Sequence, residues 1–134
     1  MDEKELQQKY LEFQVLQQQI EQLGQQLELL GSQNEELEKT KDGLEELQKV
    51  KTGQEMFCQL SPGIFVKSVL GDPQIVLVNV GIQTVVERTI PETQELVAHQ
   101  QRNVQENMKE VNQVLKSLTS DALQLYQQLQ AHVQ

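Results

Sequence analysis

The chain has no tryptophan, and its three phenylalanines and two tyrosines make up 4% of 134 residues. A large core built on bulky rings, of the kind that encloses most enzyme pockets, is therefore not expected. A single cysteine, Cys58, cannot close an internal disulfide, which points to a reducing, cytoplasmic compartment. The two histidines, His99 and His132, lie far apart, and neither stands at metal-ligand spacing from Cys58, so no metal and no cofactor is expected. Gly81-Ile82-Gln83 lacks the later glycines and the lysine of a phosphate-binding loop. The carboxylates are plentiful but fall at positions that read as helix surface. Nothing marks an enzyme. Long apolar runs are also missing, and Met1-Asp2-Glu3-Lys4 does not resemble a signal peptide, so neither a membrane span nor a leader is expected. Basic residues are few, 11 against 20 acidic, and the net charge of −9 argues against nucleic acid or an anionic membrane as the main partner.

What the chain does have is heptad spacing. In residues 6–47, Leu6, Phe13, Ile20 and Leu27 recur every seven positions, with Leu16, Leu23, Leu30, Leu37 and Leu44 on the interleaved row. Residues 97–129 carry Val97, Val104, Val111, Leu118 and Leu125 on one row and Met108, Leu115, Ala122 and Leu129 on the other. Two such rows form the a/d seam of a coiled coil. A helix with so narrow an apolar stripe needs a partner. The nearest is the other helix of the same chain, run antiparallel. Spacing alone also permits a slip of one heptad; the register that begins where the first helix should stop, near Lys51, and the second start, near Ile90, sets Leu44 against Val97, Leu30 against Val111, Leu16 against Leu125 and Ile20 against Ala122, with Asn34 facing Met108 and Lys41 facing Gln101. At about 1.5 Å per residue, each arm would measure about 60–70 Å. Asn34 and Lys41 put polar groups on the seam, where such residues define register. Gly24, Gly31 and Gly43 each cost about 1 kcal/mol relative to alanine in a helix interior, which loosens the first arm. The glutamines around Gln17-Gln18-Gln19 read as a solvated helix surface.

The middle segment changes period. Runs at 55–60, 64–70, 74–80 and 84–88 read as strands, broken by Ser61-Pro62-Gly63, Gly71-Asp72-Pro73 and Gly81-Ile82-Gln83. Gly53 suits the end of the first helix. Thr89-Ile90-Pro91-Glu92 reads as a capping box that opens the second helix. The expected fold class is α+β dominated by helix: a long antiparallel coiled-coil hairpin with two β-hairpins between the helices. As a single domain over 1–134, it divides into a first helix at 1–51, a double hairpin at 52–88 and a second helix at 89–134. The third strand, Ile75-Val76-Leu77-Val78-Asn79-Val80, is apolar on both faces, and four short strands cannot cover both of their own faces. Either the helix ends pack on one side or another subunit does; obligate assembly through the hairpins is the expectation, a small monomeric sheet lying on the helix ends is the alternative, and Cys58 is expected inside the sheet.

At the chain ends the apolar stripe broadens. Tyr10, Leu11 and Val15 lie beside Leu6, Phe13 and Leu16 but off the seam, and Leu123, Tyr126 and Val133 lie beside Leu125 and Leu129. Two helices cannot bury all of them. The antiparallel pairing brings both broadened ends together as an apolar, partly aromatic surface. On the residues alone, that surface either binds exposed apolar segments of other proteins or docks on one fixed partner.

The helix, double hairpin, helix order resembles an alpha-class prefoldin subunit over essentially the whole chain. The similarity is most specific at Glu55-Met56-Phe57-Cys58-Gln59-Leu60-Ser61-Pro62-Gly63-Ile64-Phe65-Val66-Lys67, at Asp72-Pro73, at Val76-Leu77-Val78-Asn79-Val80-Gly81 and at Val86-Glu87-Arg88. Two hairpins rather than one point to the alpha class. The resemblance implies an ATP-independent chaperone subunit, in a hexamer of two alpha and four beta-class subunits, that holds non-native proteins at its coiled-coil tips and passes them to a group II chaperonin. It assigns assembly to Phe57, Phe65, Val76, Val78 and Val80. Client binding falls to Leu6, Tyr10, Leu11, Phe13, Leu125, Tyr126 and Leu129, with Val133 at the same end. The chain departs from the family pattern at Gln59, where proline is common, at Gln83, which replaces a turn glycine, and at Thr84-Val85, often an aromatic pair.

Overall fold

The computed structural model describes residues 2–133, Val133 by its backbone alone. Helix α1 spans Glu3–Gln48, and helix α2 spans Ile90–Val133. Between them lie strands β1 (Glu55–Ser61), β2 (Ile64–Val69), β3 (Ile75–Gly81) and β4 (Thr84–Thr89). The chain divides into two compact units, one of Met1–Glu35 with Arg102–Gln134 and the other of Glu36–Gln101.

In the first unit, the start of α1 runs antiparallel to the end of α2. The Phe13 and Tyr126 rings lie 6.0 Å apart, and the Lys9 ammonium donates to Gln128 Oε1 at 2.8 Å. Ile20 and Ala122, an expected facing pair, line one groove. Seam positions are the protected ones: Val111 and Ala122 are buried, while Leu16, Leu23, Leu27, Leu30, Leu115 and Leu118 are half-buried. Asp2 caps α1 by accepting from the Glu5 backbone N–H at 2.8 Å.

Asn34 Oδ1, also in this unit, is enclosed without a hydrogen-bond partner. A buried unsatisfied acceptor costs about 1–3 kcal/mol, so Asn34→Leu is expected to raise the melting temperature of the chain. Its expected cost is uniqueness of register, read as a second set of inter-helix cross-links between cysteine pairs placed along the seam.

In the second unit, Leu44, Ile90 and Val97 form the buried cluster, with Leu37, Leu47 and Val76 packed on it. Two hydrogen bonds straddle the expected Leu44–Val97 layer, Gln48 to Gln94 at 3.3 Å and Gln101 to Glu38 at 2.6 Å. Lys41, expected on the seam, is instead exposed. Its charge is better solvated in water than desolvated between helices.

The ends of the helices differ from expectation on one side only. Thr89 caps α2: its hydroxyl accepts from the Glu92 N–H at 3.3 Å and donates to the Glu92 carboxylate at 3.0 Å. Helix α1 stops at Gln48, where the Lys49 and Val50 N–H groups tighten onto Glu46 and Leu47. Gly53 therefore does not end the helix. With φ of 87° it sits inside a reverse turn closed by Gln54 N–H to the Lys51 carbonyl, and its own N–H donates to the Leu70 carbonyl. An added Cβ at Gly24, Gly31 or Gly43 would meet nothing within 4 Å. Alanine at each of these three positions is expected to stabilise the chain by about 1 kcal/mol, read as a higher denaturation midpoint at unchanged slope.

The strands form two separate two-stranded sheets, β1 with β2 and β3 with β4. The second repeats the first at a spacing of twenty residues. Phe57↔Lys67 becomes Leu77↔Glu87, Gln59↔Phe65 becomes Asn79↔Val85, and each ladder shifts register just before its turn. The turns differ. Pro62-Gly63 uses Gly63 at φ 82°, which glycine adopts freely, whereas Ile82 and Gln83 hold φ of 37° and 60°. Non-glycine residues at positive φ carry strain of about 1–3 kcal/mol each, and a β-branched residue carries the most.

Candidate functional site

Two surfaces stand out, one in each unit. The first is a cleft of about 690 Å³ between the start of α1 and the end of α2, lined by Leu6, Gln7, Tyr10, Leu11, Phe13, Tyr126, Leu129 and Gln130. Its wall holds no charged residue. The helical periodicity places Leu6, Tyr10 and Phe13 on one side of α1, and Tyr126 and Leu129 approach from α2. Tyr10, Leu11 and Tyr126 remain about half exposed, at 55%, 61% and 45%. The phenol of Tyr126 accepts from Gln130 Nε2 at 2.7 Å, which fixes a polar group at the cleft edge.

Of the residues expected at this end, Leu6, Tyr10, Leu11, Phe13, Tyr126 and Leu129 converge on the cleft. Leu125 is half-buried and outside its wall, and the side chain of Val133 lies outside the described residues. Val15 and Leu123 stand in shallower grooves alongside, with Leu11 and Phe13 respectively. Gln7 and Gln130 were not anticipated. Their spacing of three from Tyr10 and four from Tyr126 is the signal that puts them on the same helix faces.

The second surface is the double hairpin. Phe57, Phe65 and Val69 on one sheet, and Ile75, Leu77 and Val85 on the other, project from equivalent faces and are all exposed. Val80 is exposed as well. Val76 and Val78 occupy the opposite face of β3 and are half-buried, Val76 against the Leu44 cluster. One side of β3 thus packs on this chain's own helices and the other is bare. Cys58, expected inside the sheet, is exposed, because the two sheets do not close on each other. Leu60, Ile64 and Ile82 are further exposed apolar residues near the turns. Bare apolar faces on isolated hairpins are unusual, since such hairpins are marginal in water without a covering layer.

Among the described residues, no group of three or more His, Cys, Asp or Glu could hold a metal ion, and no helix is long and apolar enough to cross a membrane. His99 and His132 are both exposed.

Residues 16–134 match the model of the prefoldin subunit family. The chain belongs to the prefoldin family. It is 31% identical over 132 residues to the prefoldin subunit alpha of Archaeoglobus fulgidus, covering 98% of this chain and 96% of the relative. It is an alpha-class prefoldin subunit, as the second hairpin had suggested. Its fold also matches a filamentous PFD from Methanocaldococcus jannaschii seen by cryo-electron microscopy. That match has a TM-score of 0.76 at 17% identity, over 85% of this chain and 94% of that one. Prefoldin subunits are chaperone components that assemble with other prefoldin subunits.

Proposed function

We propose that residues 1–134 act as one prefoldin-like domain of an ATP-independent cytoplasmic chaperone. Its helix termini capture non-native proteins, and the assembly delivers them to a group II chaperonin. Leu6, Tyr10, Leu11, Phe13, Leu125, Tyr126, Leu129 and Val133 form the client surface. Phe57, Phe65, Val76, Val78 and Val80 join the chain to beta-class subunits, in a hexamer of two alpha and four beta chains.

The observation that carries this reading is the cleft, apolar and aromatic, without a charge in its wall, and open to water. Such a surface selects for exposed apolar side chains rather than for a particular sequence. A site for one folded partner would be expected to surround such a patch with a polar rim of directional hydrogen bonds. The test is aggregation of an unrelated denatured protein, followed by light scattering, in the presence of this chain with its beta-class partner and no nucleotide. Suppression at stoichiometric amounts is expected. Unchanged scattering would sink the chaperone reading and leave a structural or regulatory adaptor in its place.

A further inference from the structure

The turn at Gly81–Thr84 is the point of greatest local conflict in the second unit. The register Asn79↔Val85 and Gly81↔Thr84 leaves Ile82 and Gln83 as the two central residues of the hairpin loop. Both carry positive φ, 37° and 60°, the combination that defines a type I′ turn. Asn-Gly adopts that geometry with ease, whereas a β-branched residue crowds its own backbone there. The first hairpin, with the same register twenty residues earlier, closes instead with Pro62-Gly63, where only Gly63 takes positive φ. The fold therefore does not require isoleucine at this position.

The Asn79 Oδ1 accepts from the Gly81 N–H at 3.0 Å and braces the turn, but among the described residues nothing covers the Ile82 side chain. Ile82 is 99% exposed, the barest large apolar side chain among the described residues. Strain of this kind persists where something else constrains the residue, and a fully solvated apolar side chain at a loop tip offers its own chain no benefit. The benefit must come from outside. Val80 and Val85, which flank its turn, are exposed as well, so the apolar residues at the tip of this hairpin are all uncovered.

We infer that Ile82 is an anchor, held out by the strained turn to seat in an apolar socket on the neighbouring subunit of the prefoldin assembly. This rests on the proposal that the hairpins join the subunits. A preorganised apolar knob entering a partner's pocket is the arrangement that concentrates binding energy in one residue of an interface. A turn that is strained when free and held when bound also makes partner choice depend on one side chain.

The test compares full-length chains mixed with the beta-class prefoldin subunit, the dissociation constant being read from complex mass on dilution. Two turn variants are used: Ile82→Asn combined with Gln83→Gly, which relieves strain and removes the knob, and Ile82→Ser alone. For the first, amide exchange across β3 and β4 in the unmixed chain is expected to slow or stay unchanged. The complex is nevertheless expected to weaken at least tenfold for both variants. A smaller change in both overturns the anchor, and so does a self-association of this chain that is lost in the turn variants while the mixed complex is kept. Phe57→Ser with Leu77→Ser, on the bare strand faces, separates the two readings. If that variant dissociates while the turn variants hold, only the anchor fails; if all three hold, assembly through the hairpins fails with it.

Discussion

Replacing Phe57 and Leu77 together by serine is expected to prevent assembly with the beta-class subunit while leaving the isolated chain about as stable as before. Both side chains are 70% exposed, so the free chain buries little of either. Their removal therefore opens no cavity of the kind that makes core truncations costly. In an assembly that covers the hairpin faces, each would contribute about 1.5–3 kcal/mol of burial, or about 3–6 kcal/mol together. At 1.4 kcal/mol per tenfold, that is on the order of a hundredfold to ten-thousandfold in the association constant. Sedimentation of the mixed subunits should show free chains at concentrations where the parent is fully assembled. Amide exchange gives a second readout: β1 to β4 should exchange fast in the free chain, as marginal hairpins do, and slowly in the parent complex. A complex of full mass from the double variant would remove the hairpins from the interface.

The second large effect is expected at the cleft. Tyr10→Ser, Leu11→Ser and Tyr126→Ser in one chain should abolish suppression of aggregation while the complex keeps its mass. These three are chosen over Phe13 and Leu129 because they are about half exposed, whereas Phe13 and Leu129 are partly buried by their own chain. Serine at the latter positions would mix loss of binding with fraying of the helix ends. If a bound client covers the exposed half of each chosen side chain, each contributes about 1 kcal/mol. The triple variant then binds on the order of a hundredfold more weakly, enough to defeat a holding chaperone at stoichiometric concentration. The Phe13–Tyr126 ring contact and the Gln130 hydrogen bond are lost at the same time, so circular dichroism of the variant should be compared with the parent. Full suppression by a folded triple variant would detach client binding from this cleft.

Much of the architecture was legible because it rests on short-range rules. The heptad rows name the protected positions of both helices, since a seven-residue repeat returns a side chain to the same helix face. The turn residues Pro62, Gly63, Asp72 and Pro73 marked the strand limits to within a residue or so. The Asp72 carboxylate accepting from the Gln74 N–H at 2.9 Å is the local reason for one of those breaks. The broadening at Tyr10, Leu11 and Tyr126 predicted an apolar end surface, and the cleft gathers those residues. Where the reading failed, a distant contact decided the outcome. Gly53 looked like a helix end because glycine favours positive φ, and it does adopt one, but in a turn tied to Leu70 across the hairpin. Lys41 keeps its heptad position yet is exposed, because a long charged side chain can reach water from an interfacial position.

Sequence alone determined that the chain is two amphipathic helices around two hairpins, since periodicity and turn chemistry are properties of neighbours along the backbone. Only the tertiary structure decided that the sheets stay apart, that β3 turns Val76 toward its own helices and Leu77 toward solvent, and that Ile82 stands fully exposed in a strained turn. The physical reason is that a strand's two faces are equivalent by sequence when both are apolar. Which face is covered depends on what the rest of the fold brings against it.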